Sequence, residues 1–284
     1  MSRIIVLMAL FMGMMFTITV NLVADQTGRA TFNPLRTVAK FVAKTLNNAD
    51  RVAPDLARAV KNVEVRSKLI PNKIDINSDD AFTVEILADT NQTGLSNPGA
   101  NYAGAIIDRT NFLGAGLDQS IFEGAQGREV TFRKARLKQA NLNVAIIPLA
   151  DFSAADIKET TFRFANLAGA NLDKADATEA SFSGASLEKI SFMEGFATNA
   201  QFVETNLRGS IFDGSDVRGA RFNRSDLVRT SFKGADVTQA DFSGANLTNA
   251  DFTGAAGIAK AKFDGACGKG IVGLPAEITI SACG

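Results

Sequence analysis

The chain has 284 residues, with no His, no Trp, one Tyr and 21 Phe. Without His there is no Ser-His-Asp triad, no Cys-His dyad and no His-ligated zinc. Two Cys cannot build a Cys₄ zinc site or an iron–sulfur cluster. Thirty basic residues balance 30 acidic ones, and 21% charged against 46% hydrophobic residues excludes both a disordered composition and a global bias toward nucleic acid.

Residues 4–20 are an apolar run behind Arg3. Residues 1–24 therefore read as a signal peptide or a short amino-terminal membrane anchor. Cleavage after Ala24 is disfavoured by Leu22 three positions back. Between residues 26 and 73 there are ten basic and three acidic residues, an excess of +7. Positive charge close behind an apolar segment favours the cytoplasmic side. Two placements follow: export to a periplasm or organelle lumen, or an uncleaved anchor facing the cytoplasm.

Residues 25–70 form a basic segment with helical spacing. Leu35, Val38, Phe41, Val42 and Leu46 share one face, and Leu56, Ala59, Val60 and Val63 share another. Pro34 and Pro54 suit first turns. Such helices pack on the main domain or lie on an anionic membrane surface. Residues 71–99 read as a linker and amino-terminal cap, with one alternating run at Phe82, Val84 and Ile86.

From Tyr102 to Phe252, every fifth residue is apolar at 28 of 31 positions; Gly127, Ala177 and Ala197 are the exceptions. A small residue stands two places before each centre, and Asp, Asn or Ser often stands between, as in Ala140-Asn141-Leu142 and Ala245-Asn246-Leu247. A period of five is neither helical nor a strand alternation. It marks a solenoid whose units cannot bury their faces alone.

These units resemble the pentapeptide-repeat family, A(D/N)LXX, over about residues 100–266. The resemblance implies an all-β, right-handed quadrilateral β-helix of about eight coils, with one pentapeptide per side and the centre and small residue inward. Coils stack roughly 4.8 Å apart. Centres ending in 2 are aromatic in 14 of 16 cases, and centres ending in 7 never are. Two Phe ladders on opposite sides follow, one running through Phe112, Phe132, Phe152, Phe192, Phe212, Phe232 and Phe252. A narrow apolar interior offers no partner to a Tyr hydroxyl or an indole N–H. Open coil ends need caps. The helical segment suits one end, and a cap over 267–284, with Ile271, Val272, Leu274, Ile278 and Ile280, suits the other. The register slips by one residue after Phe252, within Gly254-Ala255-Ala256-Gly257.

Cys267 and Cys283 both lie beyond the repeats. A bridge between them would staple the cap, add ~3 kcal/mol and imply an oxidising compartment. Two buried free thiols are the alternative.

No catalytic, cofactor or metal motif stands out, and a filled rod leaves no pocket. The expected function is a non-enzymatic structural or protein-interaction module with an unidentified protein partner. A membrane surface could also meet the amino-terminal segment. The family resemblance raises a second reading, a cytoplasm-facing DNA mimic that binds DNA gyrase. DNA carries one charge per ~1.7 Å, whereas residues 100–266 hold 18 basic and 20 acidic residues. Candidate contact residues are Val144 and Phe164, in one outward slot 20 residues apart, with Ile146, Pro148 and Leu149 on the adjacent side. Phe196 joins them as the other Phe within the array but off its inward register.

Overall fold

A computed structural model describes residues 73–75, 83–85 and 87–283, all within the compact unit Val63–Gly284. The leader over 1–24 and the helical segment over 25–70 lie outside the described residues. Two short strands come first, β1 (Lys73–Asp75) and β2 (Thr83–Glu85), paired antiparallel with Ile74 opposite Val84. The alternating run at 82–86 coincides with β2. Its partner β1, Lys-Ile-Asp, is too short to show a period.

From Leu87 onward the backbone repeats one five-residue unit. The residue before each centre forms a single parallel bridge with the residue 20 positions on, as in Asn111 with Thr131 and Thr131 with Asp151. Each coil thus has 20 residues and four bridge-bearing sides. We number the sides by their bridge columns: side one through Asn111, side two through Gly116, side three through Ile121 and side four through Gln126. The β character consists of these single-residue bridges. The only extended strands among the described residues are β1 and β2.

The hydrogen bonds explain the five-residue grammar. Each centre donates its N–H to the next coil, as Phe112 does to the Thr131 carbonyl at 2.7 Å. The bridge residue donates back to the preceding coil, as Asn111 does to Thr90 at 2.9 Å. The small residue closes the turn, Ala115 N–H to the Phe112 carbonyl at 3.0 Å. The second turn residue donates forward again, Gly114 to Arg133 at 2.9 Å. Only the first turn residue lacks a backbone acceptor. The Asp or Asn two residues before it supplies one: Asn171 Oδ1 accepts from the Asp173 N–H at 2.9 Å, and Asp151 Oδ1 from Ser153 at 2.9 Å. The acidic or amide residue of the repeat is therefore a turn cap.

Every second turn residue has a positive φ, from Asp89 at 59° through Gly254 at 72°. This left-handed position is the natural place for Gly.

The interior is dry and ladder-like. Phe112, Phe132, Phe152, Phe192, Phe212, Phe232 and Phe252 are all at most 1% exposed. Rings one coil apart stack, Phe112 on Phe132 at 5.1 Å and Phe232 on Phe252 at 5.1 Å. A second stack, on side three, holds Phe162, Phe182 and Phe202 at 4.8 and 5.0 Å. Between the two stacks the rings meet edge to face, Phe202 to Phe212 at 5.7 Å and 88°. Buried hydroxyls at small positions donate to centre carbonyls, Thr160 to Leu137 at 2.7 Å and Ser225 to Phe222 at 2.6 Å. No buried side-chain polar atom among the described residues lacks a partner.

Coils begin earlier than the apolar register, because the first one has polar centres. Gln92 and Asn97 occupy those slots, and Asn91 already bridges to Asn111. This end also accommodates a Tyr: the Asn97 amide reaches the Tyr102 hydroxyl at 3.4 Å. The sequence reading, that the interior offers no partner to a Tyr hydroxyl, fails where the polar end coil abuts it.

At the far end the bridges Asp241–Lys262, Asn246–Cys267 and Asp251–Val272 span 21 residues. The extra residue lies just past the Gly-Ala-Ala-Gly tetrad, in a 3₁₀ turn over Ile258–Lys260. Gly257 begins it at φ 74°, where a Cβ would stand 2.6 Å from Thr238 Cα. Beyond it, Ile271, Leu274, Ile278 and Ile280 pack against the core. Val272 does not, because it takes the outward bridge position opposite Asp251 and is 49% exposed. Ser281 bridges Cys267, the Gly268 N–H donates to the Ser281 carbonyl at 2.8 Å, and a disulfide joins Cys267 to Cys283.

Candidate interaction surface

Exposed large apolar residues concentrate on side four and its corners. Ile146 holds the bridge position of that side, between Gln126 and Asn166. Val144 and Phe164 are the left-handed turn residues on one edge, at φ 52° and 57°. Leu149 is the left-handed residue on the other edge, at φ 61°. Phe164 is 64% exposed, and the other three are close to half exposed.

Two of these side chains lie along the surface. A Cβ on Gly169, one coil beyond Leu149, would stand 2.7 Å from Leu149 Cδ2. A Cβ on Gly184, one coil beyond Phe164, would be 2.5 Å from the Phe164 ring. The glycines leave room for Leu149 and Phe164 to lie flat, so side four presents a level apolar strip. The Arg163 guanidinium sits 5.9 Å from the Phe164 ring centroid.

Ile146 and Pro148 form a matched pair. Elsewhere an Asp or Asn at the bridge position accepts the N–H two residues on. Pro148 has no N–H, so the residue at 146 need not cap it, and an apolar Ile is admitted.

Phe196 does not belong to this strip. It lies in the bridge column of side two, between Asp176 and Asp216. Residue 196 is 50 positions from Ile146, two and a half coils, which places the two on opposite sides of the rod. Phe196 is 51% exposed, with Met193 at 40% near the adjoining corner.

The column around Phe196 is acidic in sequence but internally compensated. Lys158 Nζ lies 2.8 Å from Asp176, and Arg218 lies 2.6 Å from Asp216. The Arg218 hydrogen bond holds the Asp216 carboxyl below its ordinary value against the opposing effect of burial. Burial raises Asp176, but hydrogen bonds from Lys158 and Thr178 outweigh it and leave that carboxyl low as well. Among the described residues no group of three or more His, Cys, Asp or Glu is arranged to hold a metal, and no helix is long and apolar enough to cross a membrane.

Residues the sequence reading did not single out frame the strip. Arg128 and Glu129 stand at one end of its Leu149 edge, and Glu188 and Lys189 at the other. The signal was available, since all four share two columns spaced by 20 residues.

A four-sided solenoid of five-residue units, with a Phe- and Leu-filled interior, defines a class of coil-stacking repeat proteins. A family model described as pentapeptide repeats matches eight copies over residues 105–143, 155–192, 197–224 and 225–256. The chain belongs to the pentapeptide-repeat family, and that membership implies a right-handed coil. Among solved structures, full-length QnrB1, a plasmid-mediated fluoroquinolone resistance protein, is similar at 18% identity, covering 63% of this chain and 93% of that one, with a TM-score of 0.39. HetL, from the cyanobacterium Nostoc sp. strain PCC 7120 and involved in heterocyst differentiation regulation, is 22% identical, covering 64% and 86%, with a TM-score of 0.29. A pentapeptide repeat protein of the Arabidopsis thaliana thylakoid lumen is 23% identical, covering 55% and 70%, with a TM-score of 0.18. No curated protein sequence matches the chain.

Proposed function

We propose that the chain is a non-enzymatic protein-interaction module, exported or held at a membrane by its amino-terminal segment, that contacts a protein partner through side four. One observation carries this reading. Val144, Leu149 and Phe164 are large, apolar and exposed at left-handed corner positions. Gly would be less strained and more soluble there, and the same columns hold Gly124, Gly169 and Gly184. A β-branched residue at positive φ is an outlier, and clustered exposed apolar residues mark contact sites. Their cost to the isolated rod is explained if a partner covers them.

Placement outside the cytoplasm is supported by the apolar leader and by the Cys267–Cys283 bridge. Affinity capture with the full chain tests the function. The double variant Leu149→Glu, Phe164→Glu should lose a protein that the unaltered chain retains. Equal capture by both would remove side four from consideration. Fractionation with mass spectrometry of the mature terminus tests placement, and an intact Met1 in a soluble cytoplasmic fraction would overturn it.

A further inference from the structure

The charges framing side four are self-complementary, and we infer that the surface pairs with a second copy of this chain, the two rods running antiparallel face to face. The inference rests on the proposed protein-binding role of that side and names the partner.

The argument is geometric. A two-fold axis lying in the plane of the face and perpendicular to the rod keeps each long edge opposite the same edge of the partner copy, and it reverses coil order. One edge column reads, coil by coil, Asp108, Arg128, Pro148, Ala168, Glu188, Arg208. With the axis between the coils of Pro148 and Ala168, Asp108 meets Arg208, Arg128 meets Glu188, and Pro148 meets Ala168. The neighbouring column reads Glu129, Leu149, Gly169, Lys189. About the same axis Glu129 meets Lys189, and Leu149 meets the Gly169 position, over which the Leu149 side chain of that same copy lies, so leucine packs on leucine. On the far edge, Gly124, Val144, Phe164, Gly184 brings Val144 against Phe164 and glycine against glycine.

Three kinds of opposite-charge pair form, each twice by symmetry, around Val144, Pro148, Leu149 and Phe164, with Ile146 against Asn166 in the middle column. This is an isologous contact with a polar rim. The glycines that let Leu149 and Phe164 lie flat also make the face level enough to meet itself.

The alternative two-fold, parallel to the rod, sets one edge against the other within the same coil. It matches Arg128 with Glu123, but leaves Glu188 beside Ser183 and Gly184. The antiparallel register matches Asp108, Arg128, Glu129, Glu188, Lys189 and Arg208 with opposite charges, and places Glu123 against Ser183 and Arg163 against Asn143. Arg128 and Glu129 have no ion pair among the described residues, whereas Glu188 and Lys189 lie 3.4 Å apart within one chain. That exposed pair is readily exchanged for contacts to a second copy.

Sedimentation of the purified full chain tests this, at concentrations of about 1–100 µM. A concentration-dependent dimer is expected. Phe164→Glu should raise the dissociation constant roughly tenfold or more. Arg128→Glu should weaken the dimer through repulsion of Glu188, and adding Glu188→Arg should restore it. Unchanged thermal melting of each variant confirms folding. Three outcomes would overturn the inference: a monomer throughout, a dimer indifferent to Phe164→Glu, or rescue of Arg128→Glu by Glu123→Arg instead. A monomeric chain that still loses a captured protein on charging Leu149 and Phe164 would sink the self-pairing and leave the protein-binding role standing.

Discussion

The Phe192 ring occupies the space that Gly195 leaves open: a Cβ on Gly195 would lie 2.5 Å from Phe192 Cε1. This coil departs most from the repeat, with Ala197 as a centre, Ala177 stacked one coil before it, and Ile190 at a position usually held by Ala. Two small centres in one column leave volume to fill. The Phe192 ring tilts 35° from Phe212, whereas stacked neighbours elsewhere lie within 25° of parallel. Gly195→Ala should therefore overpack the interior and destabilise by ~1–3 kcal/mol. A thermal melt indistinguishable from the parent would show that the ring has freedom to move.

Relief of a strained corner has the opposite sign. The left-handed conformation costs a residue with a side chain ~1–2 kcal/mol, and ordering Gly costs ~0.5–1 kcal/mol. Val144→Gly, at φ 52°, should leave the rod slightly more stable, by ~0.5–1 kcal/mol, while weakening whatever side four binds. A chemical-denaturation midpoint that falls would remove the view that this side chain is kept at a structural cost.

Acid stability can be traced to Asp216. Its carboxyl is lowered from 3.8, first by the Arg218 hydrogen bond. A depressed carboxylate stabilises the fold above its unfolded value, and that contribution is lost as pH falls through the folded one. Stability should thus decline below about pH 4, and Asp216→Asn should lower stability at neutral pH and flatten that acid limb. Melting temperatures between acid and neutral pH report the difference; parallel curves would assign acid sensitivity elsewhere.

Reduction of the Cys267–Cys283 bridge should loosen the carboxy-terminal cap and spare the middle coils. The bridge closes 16 residues, worth ~3 kcal/mol in the chain-entropy account. Hydrogen exchange under reducing conditions should accelerate around Gly268, whose N–H donates to Ser281. The Phe222 region should keep its protection. Uniform acceleration would mean that the cap staples the whole array.

The interior was legible because it is periodic. Each inward slot accepts few shapes, so Phe112 through Phe252 announce themselves. Single-turn logic was less visible. The sequence shows Asn171 and Asp151 only as polar residues standing before a centre, and the geometry shows each accepting a specific N–H. Gln92 and Asn97 hide the first coil because polar residues at its centres interrupt the apolar period. Phe196 shares with Phe164 only its place off the inward register, and its 50-residue spacing from Ile146 puts it on the opposite side. The rim charges Arg128, Glu129, Glu188 and Lys189 acquire meaning only when the chain is folded into columns of 20.

The direction of the backbone hydrogen bonds gives the rod an electrical polarity. On each side two N–H groups, those of the centre and the second turn residue, point toward the carboxy-terminal end, and one, of the bridge residue, points back. One net peptide dipole per side therefore adds up along the stack. The edge where the chain enters is rich in outward carbonyls, and the edge where it leaves is rich in N–H groups. Positive charge is favoured at the first and negative charge at the last, the reverse of an α-helix.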